Sequence, residues 1–167
     1  MGDKKKVYAF IDSNNLNLGI KDLGWKLDFK RFRIYLEEKY NVSVVYLFIG
    51  YVSTNQDLYS SLQKAGYVLI FKPTLPDKDG NVKGNIDADL VLQAMIDFQK
   101  YDKAIIVTSD GDFYSLVKYL YERGKLLFVM SPYVKTCSVL LKKSARERMV
   151  FMNNLRKKLE YKRKSTA

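Results

Sequence analysis

The chain of 167 residues has no histidine, and that absence removes several kinds of chemistry at once. It excludes Ser-His-Asp and Cys-His catalysis and every mechanism in which an imidazole is the acid or base. Cys137 is the only cysteine, so no disulfide forms within the chain, and zinc sites built from Cys and His are excluded. Any chemistry must come from carboxylates, amides, hydroxyls and amines. Long apolar runs are missing too. None approaches the length of a membrane-spanning helix, and Val7 to Ile11, after a charged start, is too short for the apolar core of a signal peptide. A soluble cytoplasmic protein is expected.

With 47% hydrophobic residues, the chain can build a core without staples. Five strand-length apolar runs stand out: Val7 to Ile11, Val42 to Ile49, Tyr67 to Phe71, Ala104 to Val107 and Leu126 to Met130. Most read as buried on both faces rather than alternating. Segments with helical spacing precede the last four, with apolar positions such as Phe32 and Leu36, Leu58 and Leu62, Leu90 and Ala94, Leu116 and Leu120. Strands alternating with helices imply βαβ units. The expectation is an α/β, three-layer fold: a mainly parallel five-stranded sheet with helices on both faces. Pro73 to Asn85 reads as one loop. From Lys142 to Lys164 there are ten Lys/Arg against two Glu, which is +8 of the total +11. A single basic helix from about Ser144 to Lys164 is expected there, with Met149, Met152, Leu155 and Leu159 as its apolar positions. The domain is expected over residues 1–141, with the basic helix and tail, 142–167, packed on it. A basic stretch on a nearly balanced body suits an anionic partner or a solvated helix face.

In open α/β sheets, ligands bind beyond the carboxyl ends of the strands, where the strand order reverses. The first strand is followed by Asp12-Ser-Asn-Asn15 and the fourth by Ser109-Asp-Gly-Asp112. The helix before the fourth strand opens with Asn85-Ile-Asp-Ala-Asp89, at the same sheet edge. Asp12, Asp87, Asp110 and Asp112, with Asp89 a weaker addition, are therefore expected in one crevice. Several ionised carboxylates persist together only if a cation compensates them. Oxygen-only ligands favour Mg²⁺ or Mn²⁺, which can promote displacement at phosphorus. Each acid also has an ordinary reading: Asp112 as a helix N-cap, Asp87 and Asp89 as complements to a helix dipole, Asp12 and Asp110 as turn residues.

Three motifs, Phe10-Ile-Asp-Ser-Asn-Asn-Leu16, Lys83-Gly-Asn-Ile-Asp-Ala-Asp-Leu90 and Thr108-Ser-Asp-Gly-Asp-Phe113, resemble in order and spacing the NYN domain, a branch of the PIN-like nuclease superfamily, and in particular its bacterial LabA-like members. The resemblance implies a Mg²⁺- or Mn²⁺-dependent ribonuclease with Asp12, Asp87, Asp110 and Asp112 as its acidic site and Asn15 as a polar partner. The chain departs from the family pattern at Ser13, where glycine is usual, and at Asn14, where an acid is common; an amide supplies no negative charge. Ser13, Asn14, Asn15, Lys83 and Ser109 are the candidate substrate contacts.

The expected partner is single-stranded RNA, with no membrane association, and a homodimer is left open. Trp25, read as lying in a Gly19–Gly24 loop, and Tyr51, just past the second strand, are candidates for base stacking. A catalytically silent RNA-binding module and a small-molecule phosphatase remain the alternatives. A nucleotide-binding P-loop does not, because Trp25 follows Gly24 where Lys-Ser or Lys-Thr would be needed.

Overall fold

Strand β1 (Val7–Asp12) runs without a loop into helix α1 (Ser13–Asp22), because the Asp12 side chain both ends the strand and caps the helix by accepting from the Asn15 amide. The computed structural model describes residues 3–73, 75–76, 78–80, 82–83 and 86–163, and for 75, 76, 82 and 83 the backbone alone. After α1 come α2 (Phe29–Tyr40), β2 (Val42–Gly50), α3 (Gln56–Lys64) and β3 (Tyr67–Lys72). Two short strands follow, β4 (Leu75–Pro76) and β5 (Val82–Lys83), and then α4 (Asp87–Ile96), β6 (Lys103–Val107), α5 (Tyr114–Glu122) and β7 (Leu126–Ser131). The chain closes with α6 (Val139–Ala145), β8 (Met149–Phe151) and α7 (Arg156–Leu159).

The main sheet has six strands in the order β3-β2-β1-β6-β7-β8, and every neighbouring pair is parallel. Its central strands are buried on both faces. Ile11, Leu47, Ile105 and Val107 pack under α1 and α2 through Leu16, Ile20, Phe32 and Leu36. Phe10, Phe48, Ile106 and Val129 pack under α4, α5 and α6 through Leu90, Leu116 and Leu141. The α/β architecture with helices on both faces is as the sequence implies; the strand count is six rather than five.

The added strand corrects the reading of the C-terminal segment as one basic helix. Helix α6 ends where Arg146 takes a left-handed φ of 53°, and Met149-Val-Phe151 then pairs along β7. Met152 and Leu159 are buried as expected, but an extended triplet and one helical turn bring them there. Leu159 ties this segment to α2, since the Asp28 amide donates to its carbonyl at 2.8 Å. Two other expectations also change. Of the stretch Gly19 to Gly24, read as a loop, residues 19–22 belong to α1, and the loop from Pro73 to Asn85 contains the antiparallel β4–β5 ladder.

The first connection leaves β1 toward β2, and the one leaving β6 goes the other way to β7, so the strand order reverses between β1 and β6. Helix α4, which starts at that crevice, is anchored at its far end. The Tyr46 hydroxyl on β2 donates to Asp97, a carboxylate 1% exposed that also pairs with Lys100 at 3.1 Å. Burial alone would raise the Asp97 pKa, but hydrogen bonds from Tyr46, Lys100 and Gln93 outweigh it and hold the carboxyl below its ordinary value.

Candidate active site

Three separate segments deliver acids to the β1–β6 crevice. Asp12 ends β1, Asp110 follows β6, and Asp87 is the first residue of α4. One carboxylate oxygen from each lies within 4.8 Å of the other two. Two oxygens bound to one ion at 2.0–2.6 Å are at most about 4–5 Å apart, so this spacing suits a shared divalent cation. All three donors are hard oxygens, which favours Mg²⁺ or Mn²⁺.

A hydroxyl at the end of β6 couples two of these acids. Thr108, fully buried, donates its hydroxyl to Asp12 Oδ2 at 3.2 Å and accepts the Asp110 amide at 3.1 Å. The other Asp12 oxygen accepts the Asn15 amide at 3.2 Å. The Asn15 carboxamide oxygen in turn accepts the Ser109 amide at 2.7 Å, which ties α1 to the end of β6. The Ser109 hydroxyl bonds the Ser131 hydroxyl at the end of β7 at 2.6 Å. Sequence reasoning passed over Thr108 and Ser131; the available signal was a hydroxyl residue ending each of two buried apolar strands.

Asp12 is 5% exposed, and its pKa rises to about 6. Burial is the largest cause, and the charges of Asp87 and Asp110 add to it. The Asn15 amide and the Thr108 hydroxyl oppose the shift without cancelling it. Such a carboxylate disfavours its charged form, which either a proton or a bound cation would relieve.

The remaining candidates fall outside the trio. Asp89 is in the first turn of α4. Asp112 is exposed and does not cap α5, which has no side-chain cap; it lies inside the short turn Gly111–Phe113, which Asp110 caps by accepting the Asp112 amide at 2.9 Å. Ser13 and Asn14 begin α1 and line a cavity beside the acids. The Lys83 side chain, and Gly84 and Asn85 of the second motif, lie outside the described residues. Trp25 is 8% exposed and packs in the core beneath α1 and α2, so it is no stacking platform. Tyr51, 39% exposed, has its ring against Tyr59 and Phe71. A separate groove of about 600 Å³ between α2 and α7 is lined by four basic residues, Arg31, Lys39, Lys157 and Lys158, by Glu38, and by Ile34, Tyr35 and Leu159, and it shares no residue with the trio.

The NYN domain family model matches residues 6–153. The chain belongs to the NYN domain family. An NYN relative, the low amplitude and bright protein LabA of Synechococcus elongatus, is 24% identical over 166 residues, covering 93% of this chain and 88% of LabA. A crystal structure of a protein of unknown function from Vibrio parahaemolyticus aligns with a TM-score of 0.76 at 22% identity. That alignment covers 92% of this NYN chain and 98% of the other, and it establishes the shared fold. Among the described residues no helix is long and apolar enough to cross a membrane.

Proposed function

We propose that this NYN protein is a cytoplasmic, metal-dependent ribonuclease that hydrolyses phosphodiester bonds in single-stranded RNA. The observation that carries the reading is the convergence of Asp12, Asp87 and Asp110 from three segments onto a volume one ion can fill. These three would hold Mg²⁺ or Mn²⁺, which when bound supplies charge neutralisation and Lewis acidity at a phosphoryl oxygen. Thr108 sets the relative positions of Asp12 and Asp110, and Asn15 keeps the Ser109 turn against α1. Asp112 and Asp89 are outer carboxylates on the same two segments, suited to orienting an attacking water by hydrogen bonding. Ser109 and Lys83 are proposed as phosphate-side contacts.

The test is cleavage of single-stranded RNA with Mg²⁺, Mn²⁺ or EDTA. Wild type is expected to cut only with metal, and Asp110→Asn to lower kcat by a factor on the order of 10²–10⁴. RNA binding in EDTA without cleavage under any metal would favour the silent module instead. The departures from the family pattern at Ser13 and Asn14 are the features that favour this second reading. Hydrolysis of a simple phosphate ester with none of RNA would favour the phosphatase.

A further inference from the structure

A cavity of about 400 Å³ opens at the carboxyl end of β2, directly beside the acid trio. Ser13 and Ile86, which line it, are the chain neighbours of Asp12 and Asp87. Its size falls within the range of small-ligand pockets. Phe48, Tyr59 and Ile86 form a buried, apolar floor. Asn14, Asn17 and Asn55 form an exposed rim of carboxamides, and among the described residues none of these side chains has a hydrogen-bond partner.

The edge near Asn55 is held in place. The Tyr59 hydroxyl accepts the Val52 amide at 2.8 Å and donates to the Gly50 carbonyl at 3.3 Å, fixing the turn after β2. Among the described residues no lysine, arginine, aspartate or glutamate lines the cavity. A phosphate would need cations there, and a metal would need acids. An apolar floor under an uncharged rim of paired donors and acceptors suits a flat, neutral heterocycle whose edge carries donors and acceptors.

We infer that this cavity receives the unpaired base of the nucleotide adjoining the scissile phosphate, with Asn17 and Asn55 contacting its edge. The inference rests on reading the acid trio as a phosphodiesterase centre. It makes the enzyme selective for a base at one fixed distance from the cut and excludes paired RNA, whose base edges are occupied.

The test has one arm that needs turnover and one that does not. In the first, the Mg²⁺-loaded protein is titrated with each of the four ribonucleoside 5′-monophosphates, and with ribose 5-phosphate as the base-free control, while side-chain amide NMR signals are followed. The monophosphates are expected to move the Asn14, Asn17 and Asn55 signals, and ribose 5-phosphate to leave them in place. Asn55→Ala is expected to weaken the monophosphates about tenfold, as loss of one or two hydrogen bonds would. Leu58→Trp, which fills the cavity from its exposed wall, is expected to abolish the base-dependent shifts. Both positions are exposed, so the folded state is expected to persist, and thermal melts check it.

In the second arm, oligoribonucleotides differing at one position are cleaved by wild type and by Asn55→Ala, and the base preference is expected to flatten in the variant. Cleavage with an unchanged preference and no amide shifts overturns the base pocket and leaves the nuclease standing. Base-dependent shifts without cleavage under any metal support the pocket and overturn the nuclease. Silence in both arms overturns both.

Discussion

Asp12 is the residue where folding and function oppose each other. Its carboxyl prefers the proton in the folded state, with a pKa near 6 against an ordinary 3.8. The sign follows directly. This preference favours the fold fully below pH 3.8 and is lost as pH rises through about 6, so at neutral pH the metal-free protein carries the cost of a buried charge. That cost is on the order of 2–3 kcal/mol. Asparagine at this position keeps the acceptor for the Asn15 amide and can donate to the Thr108 hydroxyl. In EDTA at pH 7.5, Asp12→Asn is therefore expected to melt higher than wild type. The difference should shrink toward zero at pH 4, and Mg²⁺ should stabilise wild type but not the variant. A variant that melts lower at pH 7.5 would show that the charge is already compensated within the protein.

The turn after β6 shows how one element sets the position of an acid. A Cβ built on Gly111 would collide with the Ser138 hydroxyl and lie 3.0 Å from the Ser138 Cβ, because this turn presses on the start of α6. Gly111→Ala is expected to push the turn away from α6, and Asp110 with it. A loss of about 1–3 kcal/mol by chemical denaturation is expected, as for an overpacked core, together with weaker Mn²⁺ binding. Near-normal stability and metal affinity would mean that Ser138 yields without cost. Five of the six main strands were legible because each is an apolar run of ordinary strand length, even β3, which is mostly exposed or half-buried, and the trio was legible because each acid sits at an element boundary. What escaped was short or polar. Helix α1 opens with Ser13-Asn-Asn15, which is turn chemistry until Asp12 caps it. Strand β8 has three residues, and the spacing of Met149, Met152, Leu155 and Leu159 imitates a helix period across a segment that changes conformation twice. Trp25 stood among glycines, yet its neighbours in space are core residues from distant segments, which no local pattern reveals.

At the scale of the molecule, charge is divided between a negative crevice and a positive remainder. The net charge is +11, and the basic C-terminal segment supplies Lys157 and Lys158 to the groove beside α2. If that groove tracks an RNA backbone, binding must release counterions and weaken with salt. Lys157→Gln with Lys158→Gln is expected to reduce affinity alike for all single-stranded sequences, lowering the slope of log K against log salt by about 0.7 for each phosphate that a lysine no longer neutralises. An unchanged slope in filter-binding or anisotropy titrations would remove the groove from the RNA path. The parallel sheet also governs timing. Ninety-six residues separate Asp12 from Thr108, and β1 cannot pair with β6 until the later strand exists. On a translating ribosome the emerging polypeptide therefore displays its first acid long before the other two can join it. Whatever the assembled trio does to a nucleic acid is withheld from the messenger being read until β6 and the turn that carries Asp110 have been made.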